Sequence, residues 1–179
     1  MKYIIFLILL LILNFNCSSV KTTNNWEILN YEYNSGPISP KYQYTYQIVI
    51  NSNRNCEFLY SFPMEESKKL EYKFTITEEQ MKKLNEAIKK SKVLEIQIPK
   101  LPEEKTPIGG DIERVKIIVP NPDPNLDQPP KVYESPYFPD EKYKDDLINL
   151  YNFIKSLVPE KYKQDAKQKR EQFIEQEGD

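Results

Sequence analysis

The sequence predicts an α+β fold in which one antiparallel sheet is covered on one face by two amphipathic helices. Three observations carry that expectation. Residues 42–50 alternate, with Tyr42, Tyr44, Tyr46, Ile48 and Ile50 on one side and Gln43, Thr45, Gln47 and Val49 on the other, the period of two that a half-buried strand requires. Thr77-Glu78-Glu79-Gln80 is a capping box set ahead of Met81, Leu84, Ala87 and Ile88 at helical spacing. Asp140 stands before a second stripe of Tyr143, Leu147, Leu150, Tyr151, Ile154 and Leu157, which Pro159 stops.

The remaining elements follow in chain order. Residues 28–33 are rich in aromatic and aliphatic side chains and predict a first strand, separated from the second by the turn chemistry of Asn34-Ser35-Gly36-Pro37-Ile38-Ser39-Pro40. A polar hairpin over residues 51–55 leads into a third strand at 57–62, and Leu70, Tyr72, Phe74 and Ile76 alternate in a fourth. Four sequential strands with short connections predict a meander. The first helix is expected to end near Ser91, after which Leu94, Ile96 and Ile98 predict a short strand. A loop containing Gly109-Gly110 feeds a strand over residues 112–119, apolar on one side through Val115, Ile117 and Val119. Residues 120–130 form a proline-dense excursion, and Val132-Tyr133-Glu134 pairs back. Each half thus reads as β segments feeding a capped helix, which suggests two β-then-α units sharing one sheet.

The N-terminus is a separate matter. Behind Lys2, residues 3–13 are apolar; this is short of the ~20 residues that a spanning helix needs and matches the core of an export signal. The run closes as Leu13-Asn14-Phe15-Asn16-Cys17-Ser18-Ser19. That sequence resembles a bacterial lipoprotein signal of the relaxed kind found in spirochaetes, with Asn14 and Asn16 where the usual box has leucine and a small residue. The resemblance implies that Cys17 takes a diacylglyceryl group and becomes the N-terminus. It also implies a protein of the cell envelope, on an outer membrane or the cell surface, whose first partner is the bilayer. Several acyl chains make such an attachment stable where one would be marginal. The chain then divides into a signal peptide at 1–16, a lipidated flexible tether at 17–25, a single α+β domain at 26–159 and a charged tail at 160–179. Residues 18–25 have no apolar periodicity and reach roughly 27 Å when fully extended.

Composition narrows the function by exclusion. There is no histidine among the 179 residues, so Ser-His-Asp and Cys-His catalysis, His-ligated zinc and His-ligated haem are all ruled out. The formal net charge of −2 falls to −3 once Lys2 is removed with the signal, and no basic stripe of the kind that nucleic acid demands is present. With Cys17 committed to lipid, Cys56 has no partner for an intramolecular disulfide, and it reads as a structural thiol beside a hairpin. Asp123, Asn125, Asp127 and Glu134 have the spacing of a calcium loop. Gln128 stands at the position that needs glycine, and Pro124, Pro129 and Pro130 stiffen the backbone, so the segment reads as a polar loop without metal. Twelve tyrosines follow residue 16; on a strand face under a helix they read first as packing and second as a stacking platform. From Glu160 the tail carries six acidic and five basic residues around Tyr162, Ala166 and Phe173, predicting an exposed helix with a thin apolar seam.

The segment Ile108-Gly109-Gly110-Asp111 leading to a strand, with a final helix ending Ile154-Lys155-Ser156-Leu157-Val158-Pro159, resembles the layout of small bacterial domains that include emfourin, an inhibitor of thermolysin-like metalloproteases. No inhibitory residue carries over. The sequence offers no catalytic, cofactor-binding or metal-ligating set. It reads as an envelope lipoprotein with a non-catalytic domain for a protein or envelope partner. The alternatives are a carboxylate-dependent envelope hydrolase, and a secreted protease inhibitor.

Overall fold

The computed structural model describes residues 25–63, 69–122 and 128–176. Six strands form one sheet: β1 (Ile28–Asn34), β2 (Thr45–Asn51), β3 (Asn55–Ser61), β4 (Leu70–Thr75), β5 (Ile112–Val119) and β6 (Lys131–Glu134). Their spatial order is β4-β3-β2-β1-β5-β6 and every pairing is antiparallel. The meander of β1 to β4 is as expected, and β5 joins it on the free side of β1, so both halves share one sheet. Three helices follow the scheme α1 (Glu78–Ser91), α2 (Glu141–Leu157) and α3 (Glu160–Gln176).

Register decides which side chains go inside. Tyr31 stands opposite Ile48 on one flank and Val115 on the other, and Leu29 opposite Ile50 and Ile117. These residues, with Cys56 and Phe58 of β3, are buried on one face. Asn30, Glu32, Gln47, Glu57, Arg114 and Lys116 alternate with them and occupy the other, partly exposed face. α1 and α2 pack on one another and α2 touches β5. They contribute Met81, Leu84 and Ile88, and Leu147, Leu150, Tyr151, Ile154 and Leu157, to the core. Each large aliphatic buried in this way stabilises the fold by about 1.5–3 kcal/mol.

The local signals act as predicted at both helix starts. The Thr77 hydroxyl accepts from the Gln80 N–H at 3.1 Å, and the Gln80 side chain accepts from the Thr77 N–H at 2.8 Å. The Asp140 carboxylate accepts from the Lys142 N–H at 3.0 Å. Trp26 is buried and donates from Nε1 to Asn85 Oδ1 at 2.8 Å, which pins the start of the folded part to α1. Prolines 129, 130 and 136 flank the four residues of β6, a short, proline-bounded edge of the kind that resists edge-to-edge pairing.

The structure corrects three details. No strand forms over Leu94, Ile96 and Ile98. Lys92 ends α1 with φ 59, Glu95 and Ile96 both donate to the Lys92 carbonyl, and the chain turns so that Val93 and Ile98 are buried while Ile96 is exposed. β2 begins at Thr45 rather than at residue 42, because Pro40–Tyr42 is one turn of 3-10 helix that turns Tyr42 out to solvent. The tail is helical but not merely exposed: Ala166 is fully buried, Tyr162 stacks on Tyr72 with centroids 5.0 Å apart, and Phe173 meets Phe62 at 5.4 Å. The sheet face is thus covered by three helices, one more than the pattern of the two strong stripes implied.

Candidate functional site

Antiparallel pairing sorts the loops by end. The entry into β1 shares one end of the sheet with the 51–55 hairpin and the β5–β6 connection. The opposite end carries residues 35–44, residues 101–111 before β5, and residues 135–140 after β6. Each of these last three loops is fastened. Ser35 N–H donates to the Tyr44 carbonyl at 3.1 Å while Ser35 Oγ accepts from Tyr44 N–H at 3.0 Å. Leu101 N–H donates to the Phe138 carbonyl and Asp140 N–H to the Pro99 carbonyl, at 2.8 and 2.9 Å, around the bridge of Lys100 with Pro139. The Thr106 hydroxyl donates to the Pro102 carbonyl at 3.1 Å.

Two glycines join the first loop to the second. A Cβ on Gly36 would lie 2.1 Å from the Gly110 carbonyl oxygen, and Gly36, Gly109 and Gly110 have φ of +74, +100 and +96. Only glycine permits that backbone approach and those dihedrals together. The result is that Ile108, ahead of the two glycines, stands at 106% relative exposure. Ile38 and Tyr42 on the first loop and Tyr137 on the third are also exposed large apolar residues. Single exposed apolar residues need no explanation, whereas a group gathered on fastened loops at one end of a fold is a candidate contact surface.

Three cavities, of about 640, 370 and 230 Å³, open at this end, and Tyr137 lines all of them. The Arg114 guanidinium carbon lies 4.8 Å from the Tyr137 ring centroid. Arg114 Nε donates to Glu32 at 3.0 Å and Nη1 to Glu134 at 3.4 Å, while Lys116 pairs with Glu134 at 3.0 Å. Partial burial works against the Arg114 charge, but the Glu32 hydrogen bond and charge outweigh it and raise the Arg114 pKa. Behind this surface the Tyr31 hydroxyl donates to the Glu113 carboxylate, whose same oxygen lies 2.7 Å from Lys155 Nζ. Burial first, then the neighbouring Tyr46 and Glu113, drive the Tyr31 pKa far upward. Ser135 Oγ accepts from Val115 N–H at 3.0 Å and lies 2.7 Å from the Tyr151 hydroxyl.

Of the six carboxylates that line the cavities, Glu32, Glu113, Glu134 and Glu141 are each held by a cation, while Glu103 and Asp111 line them as well and Asp111 faces the Tyr33 hydroxyl. Among the described residues no group of His, Cys, Asp and Glu is arranged to hold a metal ion. Glu134, the last position of the calcium spacing, is tied to Arg114 and Lys116, while Asp123, Asn125 and Asp127 lie outside the described residues. Cys17, the lipid-attachment cysteine of the sequence reading, lies outside them too. Cys56 is a buried free thiol whose Sγ donates to the Arg54 carbonyl at 3.5 Å, and burial pushes its pKa up to about 12. Such a thiol is inert rather than nucleophilic. Tyr44 and Tyr46 are not an open platform: Tyr46 stacks on Tyr33 at 4.6 Å, and the Arg170 guanidinium covers Tyr44 at 4.2 Å.

Sequence reasoning missed Gly36, Arg114 and Tyr137. Pro107-Ile108-Gly109-Gly110 held the one usable signal, an isoleucine belonging to no strand or helix period. No helix among the described residues is long and apolar enough to cross a membrane. Compared with models of known families and with curated proteins, the sequence matches none.

Proposed function

We propose that this chain is a lipid-anchored envelope protein whose folded part is a non-catalytic binding domain, with the loop end of the sheet as its binding surface. The observation that carries the reading is the position of Ile108. It stands fully exposed among Ile38, Tyr42 and Tyr137, at the end of the sheet opposite the entry of the chain into β1. The seven residues of β1 span roughly 23 Å. A tether attached through Cys17 would therefore leave from one end and present these loops at the other, away from the lipid. Association that buried Ile108 would gain about 1.5–3 kcal/mol from that side chain alone.

The anchor is tested on the native protein by detergent phase separation and the intact mass of its N-terminal peptide. The expected result is partition into the detergent phase and a thioether-linked diglyceride on Cys17, both lost in a Cys17→Ser variant. An unmodified N-terminus in the aqueous phase would sink the anchor.

A second reading, protease inhibition, is favoured by one observation: Ile108 is held out on a loop fastened at both ends, a shape that fits a concave cleft. Titration against thermolysin measures it directly, and undiminished peptidase activity at micromolar chain refutes it. The hydrolase reading has less support, because four of the six carboxylates lining the cavities, Glu32, Glu113, Glu134 and Glu141, are engaged by Arg114, Lys116, Lys155 and Lys144.

A further inference from the structure

The C-terminal helix is attached differently from the other two. α1 and α2 each bury three or more large apolar side chains, whereas the single fully buried side chain of the seventeen-residue α3 is an alanine, Ala166. Around it the hold is made by side-chain tips. Tyr162 stacks on Tyr72 and donates from its hydroxyl to the Lys73 carbonyl at 3.3 Å. The Tyr72 hydroxyl donates to Asp165 at 2.6 Å. Arg170 lies over Tyr44 and donates to the Tyr60 hydroxyl at 3.5 Å, and Phe173 meets Phe62.

The connection to α2 is also weak. α2 is complete at Leu157, Val158 is buried with the core, and Pro159 has no N–H to continue α2. Lifting α3 from Pro159 onward thus breaks no hydrogen bond of α2 and leaves the α1–α2 packing intact. What it uncovers is a strip of Phe62, Tyr72 and Phe74 beside Tyr60, running along β4, an edge strand of the sheet. The Lys73 carbonyl, which accepts from Tyr162 across that edge, is freed as well.

We propose that α3 is a releasable clasp occupying, within its own chain, a seat for an amphipathic helix. The occupant fitting it carries an aromatic residue, a small residue, an arginine and a second aromatic at the spacing of Tyr162, Ala166, Arg170 and Phe173. Recognition would be the helix-in-groove kind, read by one face of the incoming helix. Helices held by few buried apolar contacts open at lower free energy than the core, so the clasp can lift while the rest stays folded.

The experiment uses the full mature chain. Hydrogen exchange followed by mass spectrometry is expected to show amides of α3 exchanging as a unit at least tenfold faster than those of α1 and α2. The Ala166→Asp variant puts a charge into the seat from the helix side. It is expected to strip protection from α3, leave α1 and α2 protected, and bind a labelled peptide of residues 159–176 at least tenfold more tightly than the unaltered chain does. Exchange of α3 at the rate of α2 in the unaltered chain overturns the proposal. So does loss of protection throughout Ala166→Asp, or equal peptide affinity for the two chains. None of these outcomes bears on Ile108 or on Cys17; the clasp reaches the loop end through Arg170 over Tyr44.

Discussion

Replacing Gly36 by alanine tests whether the loop end is fastened as described. Two costs add at this position. Alanine at φ +74 is held in the left-handed region, at about 1–2 kcal/mol. Its Cβ would also lie 2.1 Å from the Gly110 carbonyl oxygen, where ordinary contact begins at 3.4 Å. The obstacle is backbone rather than the flexible end of a side chain, so the loop before β5 must move by more than an ångström or the turn must open, adding about 1–3 kcal/mol. Gly110→Ala separates the two costs, because that residue has φ +96 and a Cβ there meets nothing within 4 Å. Urea unfolding is the assay. With a slope of about 2 kcal/mol per molar, the expected fall in midpoint is roughly 1–2.5 M for Gly36→Ala and roughly 0.5–1 M for Gly110→Ala, with unchanged slopes. Equal destabilisation of the two variants, within about 0.5 kcal/mol, would refute the backbone contact and with it the account of why Ile108 is held out.

Ile108→Asp is expected to leave the unfolding free energy from urea unchanged within about 0.5 kcal/mol, since the side chain touches solvent on all sides; a larger loss means that the residue packs against something. Ser135→Ala removes the acceptor of Val115 N–H and the neighbour of the Tyr151 hydroxyl inside the fold, and calorimetry or urea unfolding is expected to show a loss of about 1–3 kcal/mol. The Cys56 thiol gives a pH signature. Its native pKa is raised from 9.0 to about 12 by burial, so above pH 9 the unfolded chain releases a proton that the native state keeps. The stability it contributes is therefore intact below pH 9 and is lost as pH rises toward 12, by about 1.4 kcal/mol at pH 10. A Cys56→Ala variant whose pH dependence from 8 to 10 matches that of the unaltered chain would contradict this, as would rapid reaction of the native thiol with a disulfide reagent at pH 8.

The parts of the fold legible in the sequence are those governed by local chemistry and strict periods. The capping box at Thr77, the stop at Pro159 and the alternation of Tyr46, Ile48 and Ile50 each need only a few neighbours, and each appears where the pattern places it. The strand expected at Leu94 to Ile98 failed because alternation over five residues does not distinguish a strand from a turn that buries every few residues. The left-handed Lys92 and the core contact of Val93 decided the matter. α3 was misjudged for the converse reason. Its seam is too thin to hold a helix by itself, and the missing half of the contact, Phe62, Tyr72 and Phe74, lies 88 to 111 residues away in sequence, on and beside strands whose position depends on sheet order. The loop surface was hidden likewise. Gly36 and Gly110 carry a constraint only once β1 and β5 are neighbours, and Arg114 meets Tyr137 only after β6 has paired with β5.

How the polar groups are spent is what supports the proposed binding reading over a catalytic one. An acid, base or nucleophile must keep a lone pair or proton available to something outside the fold, with its pKa set near working pH. Here Glu113 is shared by Tyr31 and Lys155, Glu32 and Glu134 grip Arg114, Ser135 is engaged by Val115 and Tyr151, and Cys56 is buried and protonated. Hydroxyl shifts run in one direction as well: burial is the leading cause that raises Tyr31, Tyr33, Tyr46, Tyr60 and Tyr151 away from neutrality, the reverse of activation. The polar network thus serves to fix strands, helix and loops relative to one another, with Arg114 holding Tyr137 in place from behind. The large apolar side chains left exposed at that end are Ile38, Tyr42, Ile108 and Tyr137. Exposed apolar side chains on fastened loops gain free energy when water is excluded against a complementary face, and that gain is what the proposed binding surface would use.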